Sequence, residues 1–152
     1  MAGVGLVFDL STLAKRSEQI KALGDFDTGA LLDAIGQEVA EQTRDRLLNE
    51  KESPDGVPWV DWSENYAQTR HSGHSLLVGN GYLADSVQHV VNGKRVEVGS
   101  NLIYAAIHQF GGAEVGMAIP ERPYLGVSAA NADDLTALLN DFFSDHLMRV
   151  MQ

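Results

Sequence analysis

The dipeptide Asn92-Gly93 lies between two valine-rich runs and constrains the fold more than any other feature of the sequence. The runs occupy residues 87–91 before it and 96–98 after it. Asn-Gly readily takes the positive φ angles of a tight turn, whose twist matches that of two paired strands. The sequence therefore predicts a β-hairpin, and with it an antiparallel sheet.

Two long amphipathic helices are predicted, one on each side of the hairpin in sequence. The first is capped by Asp27 or Thr28 and runs to about Asn49, and the second runs from about Asn131 to Val150. The apolar faces contain Leu31, Ile35, Val39 and Leu47 in the first helix, and Leu135, Leu138, Leu139, Phe142, Phe143, His146, Leu147 and Val150 in the second. Gly36 lies on the first face, where it indicates a close packing partner. The predicted fold class is α+β, a small antiparallel β-sheet with a hairpin packed against two long α-helices.

Shorter elements are predicted between these landmarks. They are a strand over residues 3–9, a helix from Ser11 or Thr12 to Leu23, a turn over 53–56, a helix from Ser63 to about Arg70, a helix over 81–85 capped by Asn80, a helix over 101–109 ended by Gly111-Gly112, and a strand over 117–119. We expect one domain over residues 1–152, with residues 1–24 as an N-terminal strand and helix extension and residues 28–150 as the core.

The composition is that of an ordinary globular protein, with 44% hydrophobic and 21% charged residues. No apolar run approaches the ~20 residues that cross a bilayer, and the first ten residues lack the basic start of a signal peptide. The chain has no cysteine, so we expect neither disulfides nor thiolate metal sites. The net charge is −10 and no basic face is visible, which argues against nucleic-acid binding.

The sequence offers little catalytic chemistry. His108 is the most interesting histidine, but no serine stands in a G-x-S-x-G turn to act as its nucleophile. His71 and His74 are three residues apart in a Ser/Gly-rich loop without an evident third ligand, so we expect no metal site. No phosphate-binding loop is present, and we expect no cofactor. His146 lies on the apolar face of the last helix, in a core or a subunit interface.

Aromatic and glycine-bearing loops are the remaining unusual feature. Trp59, Trp62, Tyr104 and Phe110 belong to them, together with the stretch 120–126. Aromatic side chains on loops either cover the core or anchor a partner, because Trp and Tyr are enriched at interface hot spots. An acidic chain with such anchors and little catalytic chemistry favours assembly over catalysis.

The order of five motifs resembles the phage virion morphogenesis family, whose members are described as tail-completion proteins. The motifs are Asp55–Trp59, Asn80–Ser86, Val96–Ser100, Tyr104–Gly112 and Ile119–Gly126, followed by an amphipathic helix. The combination of YAAIHQFGG with IPERPYLG is the most specific part. The resemblance covers roughly residues 28–150 and leaves residues 1–24 outside.

The resemblance implies a non-enzymatic structural subunit of the phage neck that joins tail to head. It implies a homo-hexameric ring through which DNA passes without specific binding, in contact with the tail terminator or tube and with head-connector proteins, and no membrane. Assembly in the host bacterial cytoplasm and a place in the virion follow. The alternatives are a tail terminator or head-closure ring, a small hydrolase that uses His108, and a monomeric binding module.

The family has no catalytic residues to carry over, so its motif positions are expected to be interface or loop-fixing residues. They are Trp59, Gly81, Leu83, Tyr104, His108, Phe110, Gly112, Pro120, Arg122 and Pro123. Trp62, outside the motifs, is expected to be an interface or loop-fixing residue as well. We expect His108 to hydrogen-bond a neighbouring loop. Arg122 is expected to pair with a carboxylate of a neighbouring subunit, so that Arg122→Ala weakens the ring but spares the fold.

Overall fold

A computed structural model of the chain describes residues 3–9 and 27–151. The predicted helix from Ser11 or Thr12 to Leu23 lies outside these residues. The strands are β1 (Val4–Asp9), β2 (Gln88–Asn92) and β3 (Arg95–Ser100). The α-helices are α1 (Thr28–Asp45), α2 (Glu64–Ala67), α3 (Tyr82–Ser86), α4 (Ala105–Phe110) and α5 (Ala129–Val150), with a π-helical segment at Arg46–Glu50 and a 3₁₀ turn at Ala113–Val115. This confirms the predicted α+β class.

The strands form an antiparallel sheet in the order β1-β3-β2. β1 pairs with β3 from Val4 opposite Ser100 to Asp9 opposite Arg95. The predicted hairpin is confirmed, since β2 pairs with β3, but its turn lies one residue later than predicted. Asn92 ends β2 opposite Arg95, and Gly93, with a φ of 62°, forms the turn with Lys94. The N-terminal strand therefore forms one edge of the sheet.

Helix α1 lies on the sheet, and a glycine sets how closely it approaches. A Cβ atom on Gly36 would lie 2.6 Å from Cδ2 of His89 and 2.7 Å from Cγ2 of Val96, closer than atoms can pack. The predicted close partner of Gly36 is thus the inner face of β2 and β3. His89 is also held by Asp33 of α1, with 2.7 Å between Nε2 and Oδ1.

Helix α1 begins as predicted, because the Asp27 carboxylate accepts a hydrogen bond from the Ala30 N–H at 2.9 Å. It continues through the π-helical segment to Glu50 and ends at Lys51, whose φ is 59°. The π-helical segment holds both Arg46 and Leu47 in the interior. The apolar face predicted for this helix is buried, as Leu31, Ile35, Val39 and Leu47 show.

Helix α5 begins two residues earlier than predicted, because Ser128 is its cap. The Ser128 hydroxyl accepts from the Asn131 N–H at 3.0 Å, and the Asn131 side chain accepts from the Ser128 N–H at 3.3 Å. Leu135, Leu138, Leu139 and Phe142 are partly buried against the core. In the described part of the chain, no helix is both long and apolar enough to cross a membrane.

Several short elements differ from the prediction. Residues 117–119 form no strand, since they close a tight loop onto Gly112 instead. Helix α4 starts at Ala105 rather than 101, after a turn in which the Ala105 N–H donates to the Leu102 carbonyl. The cap of α3 is Gly81, whose φ of 84° suits glycine, rather than Asn80. Helix α2 ends at Ala67.

Candidate functional site

A cleft of about 760 Å³ opens between residues 60–83 on one side and residues 104–108 and 118–122 on the other. It brings together six of the predicted positions, Trp62, Leu83, Tyr104, His108, Pro120 and Arg122. Its volume lies within the range of roughly 300–1,000 Å³ that is usual for ligand-binding clefts. The cleft is therefore a candidate binding site within the described chain.

Arg122 is buried in the wall of this cleft and holds its two sides together. The residue is only 7% exposed. Nε donates to the Val60 carbonyl at 2.8 Å and Nη2 to the Asp61 carbonyl at 3.1 Å, while the Arg122 N–H donates to the His108 carbonyl at 2.8 Å. Arg122→Ala would remove contacts of the fold itself, which corrects the expectation that this change spares the fold.

His108 lies beside Arg122, and its ring is largely withdrawn from water. Burial lowers the pKa of His108, and the positive charge of Arg122 lowers it further. Nδ1 is buried and has no hydrogen-bond partner among the described residues, while Tyr104 meets the ring edge-on at 5.9 Å between centroids. The loop contact expected of His108 is made by its backbone carbonyl, which accepts from the Arg122 N–H.

The lowered pKa of His108 predicts that acid destabilises the protein. At pH values between the ordinary histidine pKa of 6.5 and the lower pKa in the folded chain, His108 is protonated in the unfolded state and neutral in the folded state. The free energy of unfolding therefore falls as pH drops below about 6.5. Urea unfolding of wild type and His108→Gln from pH 7.5 to 5 should show a smaller decline in the variant. His71→Gln, in the exposed loop, is the control and should follow wild type; an unchanged decline in His108→Gln would contradict the prediction.

Aromatic side chains form the open rim of the cleft. The rings of Trp62 and Tyr66 pack edge to face, 6.1 Å between centroids, and the guanidinium of Arg70 lies 4.4 Å from the centre of the Tyr66 ring. Tyr82 is 64% exposed. The only acidic residue in the lining is Asp61. The cleft is therefore aromatic and basic, although the chain as a whole is acidic.

The other predicted positions lie outside the cleft and support the fold, with one exception. Trp59 is buried and donates from Nε1 to the Pro123 carbonyl at 2.9 Å. Gly81 caps α3, as above. A Cβ atom on Gly112 would lie 2.7 Å from the Met117 carbonyl oxygen, so only glycine fits. Phe110 is the exception, since 67% of its surface is exposed.

A tight loop follows Phe110 and carries further exposed apolar side chains. The Gly112 N–H donates to the Ile119 carbonyl at 2.8 Å, and the Met117 N–H donates to the Gly112 carbonyl at 2.9 Å. Val115 and Met117 are 67% and 54% exposed on this loop. We call residues 110–117 the apolar loop. Its backbone is fixed while its side chains face solvent.

Two polar side chains that the sequence analysis missed hold the segment after the cleft. Gln109 accepts at Oε1 from the N–H groups of Tyr124 and Leu125, at 3.0 and 2.9 Å. Arg46, fully buried, donates from Nη1 to the Tyr124 carbonyl at 2.8 Å. Arg46 also contacts Asn131 of α5 through Nη2. For Arg46, the only indication in the sequence was its position next to Leu47, which lies on the predicted apolar face of the helix.

The two histidines of the loop after α2 lie close together without a third ligand beside them among the described residues. His71 and His74 lie with ring centroids 5.2 Å apart in the exposed loop. Across residues 3–9 and 27–151, no three or more His, Asp or Glu side chains are grouped to hold a metal ion.

Comparison with known proteins identifies the family to which the chain belongs. The phage virion morphogenesis family matches residues 9–144, a range that begins well before residue 28. The chain is 25% identical over 143 residues to Mu-like prophage FluMu G protein 1 of Haemophilus influenzae, covering 91% of this chain and 93% of the relative. It is 30% identical over 100 residues to the putative capsid assembly protein G of Escherichia phage Mu, covering 60% and 64%. No solved structure matches the chain. The resemblance in the motifs is thereby confirmed, and the chain belongs to the phage virion morphogenesis family.

Proposed function

We propose that this chain, a structural protein of phage morphogenesis, is a tail-completion subunit of the neck that joins tail to head. It acts as a ring of identical copies around a DNA channel, a homo-hexamer. Its neighbours are the tail terminator or tube on one side and head-connector proteins on the other. The proposal requires no enzymatic activity and no cofactor.

The apolar loop is the observation that carries this proposal. Phe110, Val115 and Met117 are more than half exposed on a backbone that internal hydrogen bonds hold in place. Exposed apolar side chains on a fixed loop do not stabilise the isolated chain, and they lose little conformational entropy when a partner covers them. A structural protein with such a loop is suited to permanent contact with another subunit. The name of the phage Mu relative, a putative capsid assembly protein, agrees with this role.

The charge distribution supports a channel for DNA. The net charge is −10, and several cations are engaged with carbonyls of the chain itself. Arg44 donates to the Val87 carbonyl at 2.6 Å and Lys51 to the Leu76 carbonyl at 2.8 Å, in addition to the bonds of Arg46 and Arg122. An acidic surface repels phosphates, so DNA would pass such a ring without adhering.

A tail terminator or head-closure ring differs from this proposal only in which neighbour the ring contacts. The hydrolase alternative would require a nucleophile that His108 can activate. Nδ1 of His108 has no hydrogen-bonded hydroxyl or carboxylate in the described chain, and the lowered pKa of His108 makes it a weaker base than an ordinary histidine. The geometry therefore favours assembly.

Deletion of the gene from the phage or prophage that encodes it tests the proposal. Lysates should contain DNA-filled heads and separate tails in negative-stain images, and a plasmid copy of the wild-type gene should restore joined particles. A Phe110→Ser/Val115→Ser/Met117→Ser variant should fold but fail to restore them. Val90→Ser, at another exposed valine, should restore them. Joined particles in the deletion lysate would refute the neck role, and joined particles with the triple variant would refute the role of the loop.

A further inference from the structure

The cleft is basic and aromatic, which is opposite to the character of the rest of the chain. Arg70, Arg122 and His74 line it, with Asp61 as the single acid. The Asp61 carboxylate already accepts a hydrogen bond from the Trp62 N–H at 2.8 Å. An occupant that offers a carboxylate next to aliphatic side chains would meet the guanidinium of Arg70 together with aromatic faces, while Arg122 stays bonded to carbonyls of the cleft wall. Arginine and aromatic residues in a concave site are typical anchors of protein interfaces.

The chain itself carries a segment of that chemistry at residues 113–117. Glu114 is followed by Val115 and, after Gly116, by Met117, and all four residues are exposed. The 3₁₀ turn closes with the Gly116 N–H donating to the Ala113 carbonyl at 3.2 Å, and Gly116 has a φ of 72°. The segment is thus a short, preformed projection with a carboxylate and two aliphatic side chains, which reduces the entropy lost on docking.

We infer that residues 113–117 of one copy dock into the cleft of a second copy of this chain. Glu114 would face Arg70, while Val115 and Met117 would contact the rings of Trp62, Tyr66 and Tyr82. The inference rests on the proposed self-assembly and names the surfaces that carry it. Residues 113–117 do not line the cleft of their own copy. Each copy can therefore insert its projection into one neighbour and bind the projection of another neighbour in its cleft, so the contact repeats from copy to copy.

Disulfide trapping tests the contact directly, because the chain has no cysteine of its own. Val115→Cys places a thiol on the projection, and Ser75→Cys places one in the cleft lining. A mixture of the two single variants under mild oxidation should give a covalent dimer, and each variant alone should not. The double variant should give a ladder of linked copies. Thr136→Cys, on the exposed side of α5, mixed with Val115→Cys should stay unlinked.

Charge exchange provides the second readout. Glu114→Arg should weaken self-association by about tenfold or more, equivalent to about 1.4 kcal/mol, as measured by light scattering over a range of concentrations. Arg70→Glu in the same chain should restore most of the loss, because the pair is then reversed rather than broken.

The outcomes separate this inference from the proposed function. Rings that form without a link between positions 75 and 115 would overturn the inference and leave the neck role standing. A disulfide within one copy of the double variant would overturn it too, since the projection would then close over its own cleft. A chain that stays monomeric at every concentration overturns the inference, and the deletion experiment then decides the neck role separately.

Discussion

Replacing Arg46 by methionine is expected to lower the free energy of unfolding by about 3–5 kcal/mol. Arg46 is fully buried and joins the end of α1 to the segment after the cleft and to the first turn of α5. Methionine keeps much of the apolar volume but none of the N–H donors. The substitution therefore tests the hydrogen bonds rather than the packing.

The expected size follows from the acceptors that lose their partner. The carbonyls of Tyr124 and Gly126, at 2.8 and 3.2 Å, and the side-chain oxygen of Asn131 all accept from Arg46. Without Arg46, the Asn131 oxygen keeps another donor, the Ser128 N–H at 3.3 Å. Each buried acceptor left unpaired costs about 1–3 kcal/mol. Part of this loss in stability is offset, because the substitution also removes a charge whose burial is unfavourable. That cost is seen in the pKa of Arg46, which burial lowers despite the nearby Glu50. The net loss is thus smaller than the sum over the three acceptors.

Urea unfolding followed by circular dichroism measures this change, and the midpoint of thermal unfolding should fall by about 2–4 °C for each kcal/mol. Arg149→Met makes the same substitution at an exposed position of α5, where the effect should stay within about 0.5 kcal/mol. If Arg46→Met lowered the free energy of unfolding no more than Arg149→Met does, the hydrogen bonds of Arg46 would not contribute to stability.

Local patterns were sufficient to predict the regular elements of this fold. The hairpin depends on the turn chemistry of Gly93, and the buried face of α1 depends on periodicity. Both act within a few residues. Gly36 was informative for the same reason, since only a close neighbour explains a glycine in such a face. These features have their causes in adjacent sequence, so the sequence alone reveals them.

The cleft and its supports depend on contacts between distant residues, which no local pattern encodes. Arg46 and Tyr124 are 78 positions apart, and Trp59 and Pro123 are 64 apart. Trp59 and Trp62 look equivalent in the sequence, yet Trp59 is in the core, where Nε1 donates to the Pro123 carbonyl, while Trp62 lines the cleft. The predicted strand over 117–119 was wrong for a related reason. Gly112 forms backbone hydrogen bonds with Met117 and Ile119, which close this segment into a loop.

Replacing Gln109 by leucine is expected to lower the free energy of unfolding by about 2–4 kcal/mol and to release the segment that follows the cleft. The Gln109 side chain accepts from the N–H groups of Tyr124 and Leu125 and donates to the Leu125 carbonyl at 3.2 Å. Leucine has a similar volume and no polar atom. Two backbone donors and one acceptor therefore lose their partner in a part-buried site.

The amides themselves give the sharpest test, because hydrogen exchange reports each one separately. Exchange at the amides of Tyr124 and Leu125 should accelerate strongly in Gln109→Leu, while the amide of Val98 in the sheet changes only as far as global stability falls. Gln109→Glu is the matched variant, since its carboxylate keeps an acceptor oxygen for both amides, although it puts a second, charged oxygen where Nε2 donated to the Leu125 carbonyl. It should retain most of the protection at both amides. Equal protection in the leucine variant would mean that the backbone holds this segment without Gln109.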